Sequence, residues 1–381
     1  MVYKHDELEV IPNKIVKIFN DLQEKLMLDI VRKLKLANEI GSSTDYQIEK
    51  LRKLGVSQKE INQYLKKALD ITDKELNELY NKVIEKGYVR DKELYTKTGV
   101  DFIEFKDNTE LQQLIKSVSD ITNGEIDNIT KSLGFVTGIT GNRVVELSDY
   151  YTKKLNQAVL ELATGSFNYS QTITYTVNEM VKSGIRYIDY ESGYHNRIDV
   201  AVRRAVMSGL NQITNKTAED NMARLKTDFV EVSYHSTARP THQVWQGRVY
   251  TKDELVTVCG LGTVTGLLGA NCYHHYDAFI PGVSKRNYTD EELDLLNHEA
   301  NKKVSFEKNS YTKYEATQKQ RQLERNLKAM QVKMKLLKEA GEKETYTELK
   351  VKYKKTFNYY KDFSEATGLK LQMERVLAGA I

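Results

Sequence analysis

Apolar side chains recur at intervals of three and four through Ile15, Ile18, Phe19, Leu22, Leu26, Ile30, Val31 and Leu34, which predicts an amphipathic helix beginning after Pro12 and ending near Gly41. Val56-Ser57-Gln58-Lys59-Glu60-Ile61-Asn62 is then echoed fifteen residues later by Ile71-Thr72-Asp73-Lys74-Glu75-Leu76-Asn77. Each copy has the form of a capping box, Ser57 with Glu60 and Thr72 with Glu75, flanked by residues able to staple the helix start. The expectation is two short helices joined by a tight turn, the second ending at Gly87. From Glu110 to about Asn215 the helical rhythm continues, with breaks expected at Gly138/Gly141, Gly165, Gly184 and Gly193.

The period changes at Phe229. Phe229–Tyr234 alternates apolar and polar residues, Arg248–Tyr250 follows a glycine, and Tyr276–Ile280 stops at Pro281-Gly282, so three short strands are predicted. A capping box at Thr289 and Glu292 restarts helix, and Leu323, Leu327, Met330, Met334 and Leu337 form a short seam suited to a packed helix hairpin. The pattern predicts a predominantly α-helical α+β fold. It divides into helical regions 1–100 and 101–228, a small β-containing module 229–288 and a helical tail 289–381.

Charge adds one asymmetry to that picture. The 381 residues carry a net charge of only +4, yet residues 301–381 hold 19 Lys/Arg against 10 Asp/Glu, net +9, leaving 38 against 43 before them. The tail is therefore basic, and Lys319, Arg321, Arg325, Lys328, Lys333 and Lys335 are candidates for contact with DNA phosphates. The echoed pair at 57–86 balances its acids and bases, which favours packing over a DNA-reading helix-turn-helix. Two cysteines exclude a disulfide framework and suit a reducing cytoplasm, and no apolar run is long enough to cross a bilayer.

Candidate chemistry concentrates in the module. Four of the seven histidines, His235, His242, His274 and His275, lie there with Cys259, Cys272 and the single tryptophan, Trp245. Imidazole and thiolate are the preferred ligands of tetrahedral zinc, so these six residues are candidates for a structural metal site. Only Cys272 and His275 have a familiar ligand gap, however, and buried histidines bonded to loop backbone are the plainer alternative. A Cys272 nucleophile beside His274 is a third reading. The glycine-rich run 260–269 departs from Gly-x-Gly-x-x-Gly at Thr265 and has no Lys-Ser/Thr ending, which makes it a turned loop rather than a phosphate cradle.

Several of these segments, in order, resemble the phage minor capsid protein 2 family. They are Arg197–Arg204, Val230–His242, Trp245–Tyr250, Gly266–His274, Phe279–Val283 and Tyr314–Arg325. The resemblance runs from about residue 100 to the end. It implies a minor structural protein of a tailed-phage virion, made in the host bacterial cytoplasm and held in few copies inside the capsid near the portal. It further implies a role in head morphogenesis and in DNA packaging or ejection, with no settled enzyme activity and no resident cofactor. Partners implied are the portal protein, major capsid or scaffold proteins and packaged double-stranded DNA, with no membrane. Distant relatives carry paired cysteines on the first arm of the module's loop, where this chain has His235 and His242. The stripe at Ile15, Phe19, Leu22 and Leu26 is the expected portal or capsid contact, and a zinc- or cysteine-dependent enzyme built on the module is the alternative function.

Overall fold

A computed structural model of the protein describes residues 10–40, 44–137, 143–163, 168–188, 194–269 and 272–376. The first stripe forms α1 (Asn13–Ile40) as its spacing requires. Its apolar face is not offered outward: Ile15, Phe19 and Leu26 are fully buried and Leu22 nearly so, against the helices introduced below. This corrects the assignment of those four residues to a portal or capsid contact. An unpartnered stripe in sequence has found its partner within the chain, because burying it internally removes the same apolar area from water without the cost of association.

The echoed capping boxes do not make two helices. Residues Thr44–Thr98 form one continuous 55-residue helix, α2. The Thr72 hydroxyl bonds to the Ala68 carbonyl one turn back (2.7 Å) instead of capping, and Ile71 points to solvent rather than stapling to Leu76. The apolar series Ile61, Ala68, Leu76, Tyr80, Val83 and Ile84 carries the buried face through the site of the expected turn. The side chains of Val56 and Ser57 lie outside the described residues. Gly87 is interior, and the helix stops at Gly99, whose φ of +69° suits a residue without Cβ.

Helix α3 (Thr109–Lys131) is capped by the Asn108 side chain, which accepts from the Leu111 N–H. A sheet that the sequence did not reveal follows. Strands β1 (Leu133–Thr137), β2 (Arg143–Glu146), β3 (Arg186–Ile188) and β4 (His195–Arg197) pair antiparallel in the order β2-β1-β3-β4. These strands of three to five residues are too short to show a period of two. Helices α4 (Leu147–Ala163) and α5 (Tyr169–Ser183) lie between β2 and β3, with Gly184 ending α5; the other glycine breaks, at 138, 141, 165 and 193, fall outside the described residues. Helix α6 (Ile198–Leu225) then packs against α1, α2 and α3 and leads into the module.

The three predicted module strands are present as β5 (Phe229–Val232), β6 (Val249–Thr251) and β7 (Tyr276–Phe279), antiparallel in the order β6-β5-β7. Between them sit two short helices, α7 (Pro240–Gln243) and α8 (Lys252–Thr257). The Thr289 and Glu292 capping box starts α9 (Asp290–Asn301) as expected. A hairpin of β8 (Val304–Phe306) and β9 (Asn309–Tyr311) intervenes before α10 (Lys313–Ala340), α11 (Lys343–Ala366) and the short α12 (Met373–Val376).

Helices α10 and α11 form the expected hairpin, turned at Gly341, with Leu323, Leu327 and Leu337 buried. The hairpin is not a detached tail, since α10 also packs on α1 and α5. Leu336, Leu337 and Ala340 share one core with Ile15, Phe19, Tyr80 and Ile126, while Trp245, Cys259, Cys272 and Tyr276 centre a second core inside the module.

Candidate functional site

Pro240 opens α7 at its first turn, where its missing N–H costs nothing, and the single turn that follows aims His242 inward. The chain then crosses β6, α8 and the glycine-rich loop before Cys272 and His274 arrive at the start of β7. All three side chains are buried. The two Nδ1 atoms of His242 and His274 lie 3.3 Å apart, and the Cys272 Sγ lies 3.8 Å from the first and 3.5 Å from the second. Among the described residues, this trio is the group of His, Cys, Asp and Glu side chains with ligand atoms close enough to share a metal ion.

The outer face of each imidazole is fixed. His242 Nε2 is 2.9 Å from the Thr265 carbonyl oxygen, and His274 Nε2 is 3.0 Å from the Gln246 side-chain oxygen. That glutamine oxygen also accepts the His235 backbone N–H at 2.9 Å. The Trp245 ring packs beside both imidazoles, 4.5 Å from His242 and 4.9 Å from His274 between centroids.

The six sequence candidates thus divide. His242, Cys272 and His274 come together, and the other three do not join them. His235 turns its Nε2 to the Tyr273 carbonyl and Ser233, Cys259 is buried in the module core as a free thiol, and His275 faces Asp277. Burial pushes the Cys259 thiol up to about 12 and raises that of Cys272, although backbone N–H groups of His274 and Leu268 pointing at the Cys272 sulfur oppose the rise. A cysteine nucleophile needs the opposite shift, so the chemistry of the bare thiol argues against the Cys272 nucleophile reading. Burial lowers the pKa of His242 despite its bond to Thr265, favouring the neutral ring. Gln246 and Thr265 are partners of the trio that sequence reasoning missed; Gln246 stands in a conspicuous Trp-Gln-Gly run, but nothing in that run says which way its amide faces.

The trio forms part of the wall of a cavity of about 1300 Å³ that α1, α6, α10 and the module enclose. Lys17, Arg204 and Arg325 border it as exposed cations, Lys14 beside them is paired with Glu75, and Arg203 is held in place by Asn13 (3.0 Å) and the Tyr273 hydroxyl (3.0 Å). Asp199, Glu324 and Glu374 are the acids of the same wall.

The six DNA-contact candidates fare unequally. Arg325 is exposed at the cavity and Lys319 is partly so on the surface beside Gln322. Lys328 is turned inward to Asn20 (2.6 Å) and Asp199 (3.6 Å), and Lys335 is paired with Glu24 (2.8 Å), so neither is available to phosphate as the sequence reading expected. Burial depresses Arg321 to about 10 and also lowers Lys333. Lys328 and Lys335 thus help dock α10, because a cation beside a fixed carboxylate gains more than one in water.

A family model described as Phage minor capsid protein 2 matches residues 4–364. Neither a curated protein nor a solved structure matches the chain.

Proposed function

The chain belongs to the phage minor capsid protein 2 family, and on that footing we propose that it is a low-copy structural protein of a tailed-phage virion, held inside the capsid near the portal. There it acts in head morphogenesis and in DNA packaging or ejection, with the portal protein, major capsid or scaffold proteins and double-stranded DNA as partners. The observation that carries the DNA part is the cavity edge, where Lys17, Arg204 and Arg325 converge from three helices. Exposed cations gathered from distant parts of a chain of net charge +4 favour a polyanion, and phosphate contact needs no reading of base sequence.

The role is structural rather than enzymatic. Its support is the burial of His235, His242, His274, Cys259 and Cys272, with the Cys272 thiol raised rather than activated. Contact with a portal ring or capsid shell falls to the outer polar faces of α1 and α2, since the apolar stripe of α1 is occupied within the chain. Among the described residues no helix is long and apolar enough to cross a membrane.

An asymmetric cryo-EM reconstruction of the intact particle, focused on the portal vertex, tests the placement. Density for this fold in few copies on the inner side of the portal vertex is expected. Density repeated over the outer capsid lattice would overturn it.

A further inference from the structure

We propose that His242, Cys272 and His274 bind a zinc-class divalent cation, with the fourth coordination position facing the cavity that α1, α6 and α10 enclose. The first argument is metric. In tetrahedral zinc, nitrogen ligands at about 2.0–2.1 Å and sulfur at about 2.3 Å place two nitrogens about 3.3 Å apart and a nitrogen and sulfur about 3.5–3.6 Å apart. The observed separations are 3.3 Å between the Nδ1 atoms, and 3.5 and 3.8 Å from Sγ to each. Three donors from two distant segments therefore stand close to the corners of one tetrahedral face.

The second argument is the tautomer. A carbonyl oxygen only accepts, so Nε2 of His242 must carry its hydrogen toward Thr265, and Nε2 of His274 must carry its own toward Gln246. The orientation of Gln246 is set independently, because its oxygen also receives the His235 backbone N–H. Neutral rings so held present Nδ1 lone pairs inward, toward each other and the sulfur. This is the arrangement in which an outer carbonyl orients a metal-binding imidazole.

The third argument is the sulfur. The Cys272 Sγ faces both Nδ1 atoms, at 3.5 and 3.8 Å, so that one sulfur and two imidazole nitrogens make up the donor set. A cation at the common point would be within reach of all three donors at once. Nitrogen and sulfur ligands select zinc-like ions over magnesium or calcium. The cavity beyond the trio leaves the fourth position to water or to an anion drawn in by Arg239 and Arg203 on the same wall. The bound ion would also tie α7 to the start of β7 across the glycine-rich loop, closing the module.

The test uses the full chain, stripped with a chelator and titrated with cobalt(II). One equivalent should give the visible bands of a tetrahedral ion and a near-ultraviolet sulfur-to-cobalt band, both lost on adding one equivalent of zinc. Zinc should raise the melting temperature of the stripped protein. Cys272→Ser should abolish the sulfur-to-cobalt band while Cys259→Ser keeps it. Gln246→Ala, which removes only the positioning of His274, should weaken zinc affinity by roughly 10–100-fold. Absence of tetrahedral cobalt bands in the wild-type chain, together with no thermal shift at excess zinc, overturns the site even if Cys272→Ser fails to fold. A sulfur-to-cobalt band that survives Cys272→Ser and vanishes in Cys259→Ser also overturns it.

Discussion

Gly209 sits where α6 meets α2 and α3, and a Cβ built there would stand 2.2 Å from the Tyr80 hydroxyl oxygen and 2.5 Å from the Thr122 hydroxyl oxygen. Helix interiors ordinarily gain about 1 kcal/mol from Gly→Ala. Here Gly209→Ala should instead destabilise by about 1–3 kcal/mol, the cost of overpacking a full core. Tyr80 donates its O–H to the Val206 carbonyl at 2.8 Å, so Tyr80→Phe alone should cost about 1 kcal/mol. The double variant should lose less than the sum, because removing the hydroxyl removes the nearest obstacle to the new methyl. Urea unfolding of the two single variants and the double variant checks this; strict additivity would contradict the contact.

At the scale of elements, α10 is joined to α1 and to the start of α6 through a half-buried ion pair. Lys328 reaches Asn20 and Asp199, and Arg197 lies 3.4 Å from the same aspartate. Burial by itself would raise the pKa of Asp199, but Arg197, Lys328 and the donors to its oxygens overcome it and hold the carboxyl below its usual range. A depressed carboxyl contributes stability above its unfolded pKa and loses that contribution as pH falls through the folded value. Lys328→Met should therefore destabilise the protein most at neutral pH, with a smaller deficit at an acidic pH below the depressed folded pKa of Asp199, where the carboxyl is neutral in both proteins. Urea unfolding at the two pH values measures it, and a deficit that grows on acidification would exclude the pairing as its cause. Three helices, α8, α9 and α10, begin with complete capping boxes at Thr251, Thr289 and Thr312, whereas the same signature at Thr72 lies inside α2. The motif strengthens a helix start but does not by itself place one, because a buried apolar face on both sides of Thr72 outweighs one cap.

Across the whole molecule, the first and last parts of the sequence share one core. Deleting residues 313–381 should thus abolish cooperative folding rather than trim a tail, since Leu336, Leu337 and Ala340 leave the core that holds α1; near-ultraviolet circular dichroism and limited proteolysis would show a native-like remainder if this is wrong. The same assembly creates the basic cavity edge. The full chain should bind duplex DNA with salt-sensitive affinity, and Lys17→Glu, Arg204→Glu and Arg325→Glu together should lower the slope of log K against log salt by about 3, as read by fluorescence anisotropy. Local periodicity and turn chemistry, which adjacent residues carry, were enough to determine the helical class, α1, the three module strands, the cap of α9 and the α10–α11 hairpin. They also marked the module as the place of unusual chemistry. Only the tertiary structure decided that α1's stripe is internal, that Lys328 and Lys335 dock a helix, and that His242, Cys272 and His274, but not His235, Cys259 or His275, converge. Those outcomes depend on which distant surfaces meet, and no period of three, four or two encodes the partner of a face or the direction of a buried imidazole.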